Sequence, residues 1–167
     1  LRLDTDRTLT TDAATAPPPG TSITVASISA LKAALANNTY TEIVVTDGTY
    51  TVTPANRPNA NNPTSLWIGS AFAARTNPVV IRPATAGGVT FSAAGARWCS
   101  WLAFAQGSHH QTWQDFKFAN GEPTSTGVVS FGGYADEVGA HHITLRDLTV
   151  LGSCVSQTTA GTYLDHG

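Results

Sequence analysis

The chain has 167 residues, 41% of them hydrophobic and only 12% charged, which suits one domain around a single core and excludes charge-driven disorder. A net charge of −2, from nine Lys and Arg against eleven Asp and Glu, leaves no electrostatic footprint for nucleic acid. No apolar run approaches membrane-spanning length. The abundant Thr, Ala and Ser, with 15 Gly and 9 Pro, favour many short strands and turns over a helical bundle.

Residues 1–20 read as a linker, without periodicity and closed by the stiff spacer Pro17-Pro18-Pro19-Gly20. The domain is expected over 21–167. There is no methionine, so Leu1 is not expected to be a translation start. The last residues, Tyr163-Leu164-Asp165-His166-Gly167, carry no polar tail. Both ends predict that the natural chain is longer.

In chain order, Ile23 and Val25 alternate with Thr24 and Ala26 as a first strand. Ser27 is placed to cap a helix over 28–36, with Ile28, Leu31 and Leu35 on one face and Asn37-Asn38 as its stop. Asn37-Asn38-Thr39 also matches the glycosylation sequon. A strand at 42–46 is followed by the turn pair Asp47-Gly48 and a run at 50–53. The Pro- and Asn-rich stretch 54–65 reads as a surface decoration. Strand-like runs then recur at 66–69, 79–82, 89–92, 101–105, 112–118, 128–131 and 143–150.

One repeat organises the second half. His109-His110-Gln111-Thr112-Trp113-Gln114-Asp115-Phe116-Lys117-Phe118 returns 32 residues later as His141-His142-Ile143-Thr144-Leu145-Arg146-Asp147-Leu148-Thr149-Val150. An apolar run precedes each copy. Self-similarity at such a period marks a solenoid, in which each unit buries its apolar face on the next. The units carry strands, which excludes helical repeats, and the Leu/Asn frame of leucine-rich repeats is missing. The expected fold is an all-β solenoid, a right-handed parallel β-helix with a short N-terminal capping helix.

The helix, the Asp47-Gly48-Thr49-Tyr50 turn, Asn77-Pro78-Val79-Val80-Ile81-Arg82 and the His141–Val150 stretch resemble the N-terminal portion of pectate-lyase-like β-helix proteins. The resemblance spans about 21–167 and implies that the helix covers the open top of the solenoid. It implies an extracellular, carbohydrate-directed protein, either a polysaccharide lyase or a glycoside hydrolase relative, whose catalytic groups often lie in later coils. No signature for cleavage of pectate, alginate or chondroitin is present in the sequence.

The candidate site residues come from the repeat. Asp115 and Asp147, one repeat apart, should stack at about the 4.8 Å strand spacing. Two carboxylates so close raise the pKa of one or require a cation, and Ca2+ suits them. Alternatively both occupy a polar bend, accepting backbone N–H bonds, since the flanking apolar residues place them at a break in alternation. His109 over His141 and His110 over His142 would form a histidine ladder. His141 and His142 could serve as acid or base, while Zn2+ ligation lacks a third ligand type at a diagnostic spacing.

A lyase acting on uronates needs a base at C5 and a cation beside the carboxylate. Arg146 and Lys117 suit the second role, with Arg82 on an earlier strand, although exposed strand positions explain these residues equally well. Asp165-His166 is a further pair without a strand context. Trp101, Trp113 and Phe131 sit inside apolar strands and should be buried; Trp98 and Tyr134 are the candidates for stacking on sugar rings.

Cys99 and Cys154 are 55 residues apart, not a multiple of the repeat, so vertical stacking is not expected and a disulfide is left open. The functional expectation is a secreted protein acting on acidic polysaccharide by β-elimination. Its alternative is a non-catalytic β-helix for carbohydrate binding, adhesion or structure. The piece alone is expected to be inactive, to have polysaccharide as its partner rather than nucleic acid or membrane, and to self-associate end to end through its last coil.

Overall fold

The structure is a computed structural model that describes residues 20–69, 75–93, 100–104, 107–120, 128–131 and 140–151. The order is β1 (Thr21–Val25), α1 (Ile28–Ala36), β2 (Tyr40–Val45), β3 (Gly48–Thr51), β4 (Leu66–Ile68), β5 (Val79–Pro83), β6 (Val89–Ser92), β7 (Leu102–Phe104), β8 (His109–Gln114), β9 (Phe116–Ala119), β10 (Val129–Phe131), β11 (His141–Arg146) and β12 (Thr149–Leu151). A turn of 3-10 helix, Arg57–Asn59, lies in the β3–β4 connection.

The helix forms where its cap and periodicity place it. Ser27 accepts the Ala30 backbone N–H at 3.1 Å, and Ile28, Leu31, Ala34 and Leu35 are buried. Its C-terminus has a less local solution. Arg75, 1% exposed, donates to the carbonyls of Leu35 (2.9 Å), Asn37 (2.8 Å) and Tyr40. Carbonyls left over at the helix end thereby gain a cationic donor, where the helix dipole favours positive charge.

The strands assemble into three sheets, and every pairing between them is parallel. The first sheet runs β1-β2-β5-β8-β11, the second β3-β6-β9-β12 and the third β4-β7-β10. From β2 onward the chain visits them in strict rotation: first, second, third, then first again. The sequence repeat is a true register, because Gln111 lies between Val79 and Ile143, and His109 opposite His141.

The inward residues of all three sheets meet in one apolar cluster with the helix face. Phe104 of β7 meets Trp113 of β8 edge-on at 5.9 Å, Trp113 meets Phe116 of β9 at 5.8 Å, and Phe116 stacks on Phe91 of β6 at 5.1 Å. One aromatic chain therefore ties the three sheets together. A buried polar thread runs beside it: Gln111 donates to Ser108 Oγ at 2.9 Å and accepts from Trp113 Nε1 at 3.0 Å.

Several expectations need correction. The runs expected at 112–118 and 143–150 are each two strands in different sheets, β8 with β9 and β11 with β12. The turn expected at Asp47-Gly48 is a bend between sheets, with β3 pairing to β6. The 54–65 stretch connects β3 to β4 and is fastened to the helix, because Lys32 Nζ donates to the Ala60 and Asn62 carbonyls at 3.2 and 3.0 Å. Trp101 and Trp113 are fully buried as expected, but Phe131 is 55% exposed; it stacks one face on Phe104 at 5.4 Å.

Candidate functional site

The bends decide where the candidate residues go. Asp115 (φ 63) and Asp147 (φ 51) adopt the left-handed conformation, each just after its strand β8 or β11. Asp tolerates this state better than most residues bearing a Cβ. One such residue between extended segments turns the chain and shifts the in–out phase, so that Trp113 and Phe116, three apart, both point into the core. The Asp115 N–H donates to the Arg146 carbonyl at 3.1 Å, joining the two bends.

A polar chain runs along the outside of this corner. Arg146 donates to Gln114 Oε1, and Gln114 Nε2 donates to Asp115 Oδ2 at 3.0 Å. Arg146 Nε also stands 3.6 Å from Asp147 Oδ2, with both side chains largely exposed. Lys117 lies on the adjoining β9, opposite Thr149 of β12. Its stem leans over Gly87 (φ +68), where a Cβ would come within 3.1 Å of Lys117 Cε. Arg82 is committed elsewhere: its Nε lies 2.8 Å from Glu42 Oε1. Ser22 donates to Glu42 Oε2 at 2.7 Å, and this bond together with Arg82 holds the Glu42 carboxyl below its ordinary pKa.

The histidines gather at the opposite end of the same strands. His109 and His141 stack at 4.8 Å with planes 6° apart, and His110 and His142 at 5.2 Å and 13°. Within each repeat the two imidazoles meet through Nδ1, at 2.9 Å for His141 and His142 and closer for His109 and His110. His142 and Arg146 are four residues apart along β11, about 13 Å at the usual strand rise of ~3.3 Å per residue. The structure thus brings Arg146, Asp115 and Asp147 together with Lys117 beside them, and keeps His141 and His142 apart from that group.

Ca2+ takes six to eight oxygen ligands as a rule. The corner supplies two carboxylates, and one oxygen of each is already turned to Gln114 or Arg146. Among the described residues no group of three or more His, Cys, Asp or Glu converges as for a metal cage. The pair alone does not fill such a shell.

Gln114, the link between Arg146 and Asp115, was not singled out from the sequence; its position one repeat before Arg146 was the available signal. Two shallow apolar depressions, one between α1 and β1 and one beside Ser27 and Tyr50, contain none of the expected site residues. Cys99, Cys154, Trp98, Tyr134 and Asp165-His166 lie outside the described residues. Searches against family models, curated proteins and solved structures find no match for this chain.

Proposed function

We propose that the three sheets are the faces of a right-handed parallel β-helix and that its β8–β9 and β11–β12 corner binds an acidic polysaccharide. The rotation of the chain through the three sheets supports the helix, and right-handedness follows from the strong preference of parallel crossovers. The observation that carries the binding reading is the hydrogen-bonded chain Arg146–Gln114–Asp115 crossing from one repeat to the next. Arg146 and Lys117 supply cations for uronate or sulfate groups, and Asp115 with Asp147 share a Ca2+ ion with the carboxylates of the polymer. The bend aspartate recurs from one repeat to the next, while Gln114 faces Arg146 and Lys117 faces Thr149, which favours a polar binding strip over a compact acid–base centre. The setting is extracellular, where such polymers and millimolar calcium occur together.

A second reading, β-elimination, draws on Arg146 beside two carboxylates. There a carboxylate at the corner takes the C5 proton while Arg146 or Lys117 neutralises the uronate; the C4–O bond breaks as the C4=C5 double bond forms, and the departing oxygen takes a proton from water. His141 and His142 are too far along the strand to act on the same sugar as Arg146. The exposed apolar residues Phe131, Val150 and Leu151, on or beside the outermost described strands, are where a second copy stacks end to end in this account.

The test is to mix the chain with pectate, alginate and a glycosaminoglycan, with Ca2+ or with chelator. Retention on the immobilised polymer and ultraviolet absorbance of unsaturated product are then followed together. Calcium-dependent retention that Arg146→Gln weakens, without absorbance, supports binding; a calcium-dependent rise in absorbance supports elimination. Neither signal on any polymer refutes both.

A further inference from the structure

The two His–His pairs have no part in that reading, yet each is built by an unusual backbone. His110 (φ 58) and His142 (φ 52) both adopt the left-handed conformation, an uncommon and costly state for a residue with a Cβ. Consecutive strand residues normally face opposite sides. Here the left-handed second residue cancels that alternation, so both imidazoles stand on one side with their Nδ1 atoms converging. The arrangement occurs in both repeats, and His141 and His142 are exposed. Two imidazole nitrogens 2.9 Å apart share either a proton or a metal ion.

We propose that each pair is a bidentate chelate for a transition-metal dication of the Cu2+ or Ni2+ type, with both Nδ1 atoms as ligands. Imidazole suits these borderline ions and not the oxygen-seeking Ca2+ or Mg2+. At a metal–nitrogen bond of about 2.0–2.1 Å, the 2.9 Å bite of His141 and His142 subtends roughly 90° at the metal, whereas His109 and His110 approach more closely and must open to reach that angle. That is the cis angle of square-planar and octahedral sites, not the wider tetrahedral angle of structural zinc. The absence of any convergent group of three ligands among the described residues agrees with two-nitrogen chelates whose remaining positions are filled by water or an outside ligand. The stacked rings of the two pairs are 4.8 and 5.2 Å apart, so a first dication repels a second. One ion per chain binds first, and a second binds more weakly.

The probe is Cu2+, added to the full chain with Cys99 and Cys154 changed to Ser so that no thiol reduces it. Calorimetry should give two unequal sites, and electron paramagnetic resonance a tetragonal signal with two imidazole nitrogens. The double variant His110→Asn/His142→Asn removes one nitrogen from each pair while keeping a residue that accepts the left-handed conformation. It should lose at least about tenfold in affinity, in line with the sensitivity of metal sites to their ligand shell. Asp115→Asn/Asp147→Asn should bind Cu2+ as the parent does, which separates this site from the polysaccharide corner. Unchanged affinity in the histidine variant overturns the proposal. So does a parent spectrum with fewer than two coordinated imidazoles, a readout that stands even if the variant fails to fold.

Discussion

Replacing Asp115 separates the two roles it can play, a backbone corner and a carboxylate for a cation. Its neighbours Trp113 and Phe116 are both fully buried, so the backbone cannot relax by swinging either strand. A residue such as Ala forced to stay at φ 63 pays about 1–2 kcal/mol for the left-handed state. Losing the 3.0 Å bond from Gln114 adds about 0.5–1.5 kcal/mol. Asp115→Ala should therefore cost about 1.5–3.5 kcal/mol, and Asp115→Val more, because branching at Cβ worsens the crowding. Asp115→Asn should be nearly neutral. Asp115→Gly loses the same bond from Gln114 and makes the unfolded chain more flexible, but it is free of Cβ strain at this φ, so it should fall less than Ala. Urea unfolding of the four variants, in chelator, gives the ranking directly. If Gly and Asn fall as far as Ala, the carboxylate and not the corner is what the fold requires, and the reasoning fails. Repeating the series in Ca2+ reads the second role: only chains that keep the carboxylate should gain stability from the ion.

Other consequences follow from charged groups placed by the fold. Arg75→Leu removes the donor to the carbonyls of Leu35, Asn37 and Tyr40 and should cost about 1–3 kcal/mol for the buried Leu35 carbonyl, with less from the part-buried other two, which water can reach; a loss under 1 kcal/mol in urea would contradict its capping role. The lowered pKa of Glu42, from Ser22 and Arg82, means that the folded chain holds this carboxylate ionised more strongly than the unfolded chain does. Its stabilising effect is full above the ordinary glutamate pKa of about 4.3 and is lost as pH falls through the lower folded value. Thermal unfolding from pH 6 to pH 3 should therefore be less acid-sensitive in Glu42→Gln, and an unchanged slope would count against the ion pair. Gly88→Ala would place a Cβ 2.2 Å from Asp47 Oδ1, the atom that accepts the Thr85 N–H at 2.9 Å; a measurable loss of stability is expected, which Asp47→Ala in the same chain should partly restore.

What the sequence disclosed depended on how local each signal is. Ser27 and the 3.6-residue spacing of Ile28, Leu31 and Leu35 defined the helix because a cap and an apolar face need only their own neighbours. The 32-residue repeat disclosed the parallel register of β8 with β11, since identical residue types in sequence became partners in space. The breaks at Asp115 and Asp147 were half legible: the Trp113-to-Phe116 spacing of three marks a change of phase, but a run of alternating residues reads through it. Asp47-Gly48 announced a turn correctly but not the partner of the strand after it, because a bend between sheets and a hairpin share the same local chemistry. Arg75 carried no signal, since its role depends on a helix end that meets it only in the fold. Phe131 had the pattern of a core strand, yet alternation states which way a side chain points and not whether anything covers it. The histidine ladder was legible from the repeat, but the meeting of the two rings within each pair was not, as left-handed residues undid the alternation that would have parted them.

The claim on which both surfaces rest is the in-register parallel stacking of the repeats. Thr112 and Thr144 are direct partners on the outer side of β8 and β11, with backbones about 4.8 Å apart at the ordinary strand spacing. Spin labels on cysteines at these two positions, with Cys99 and Cys154 changed to Ser, should show strong dipolar broadening in frozen solution, lost when urea unfolds the chain. Narrow lines from the folded protein, the same as those of either single label, would contradict the stacking and with it the alignment of Asp115 with Asp147 and of the histidine pairs.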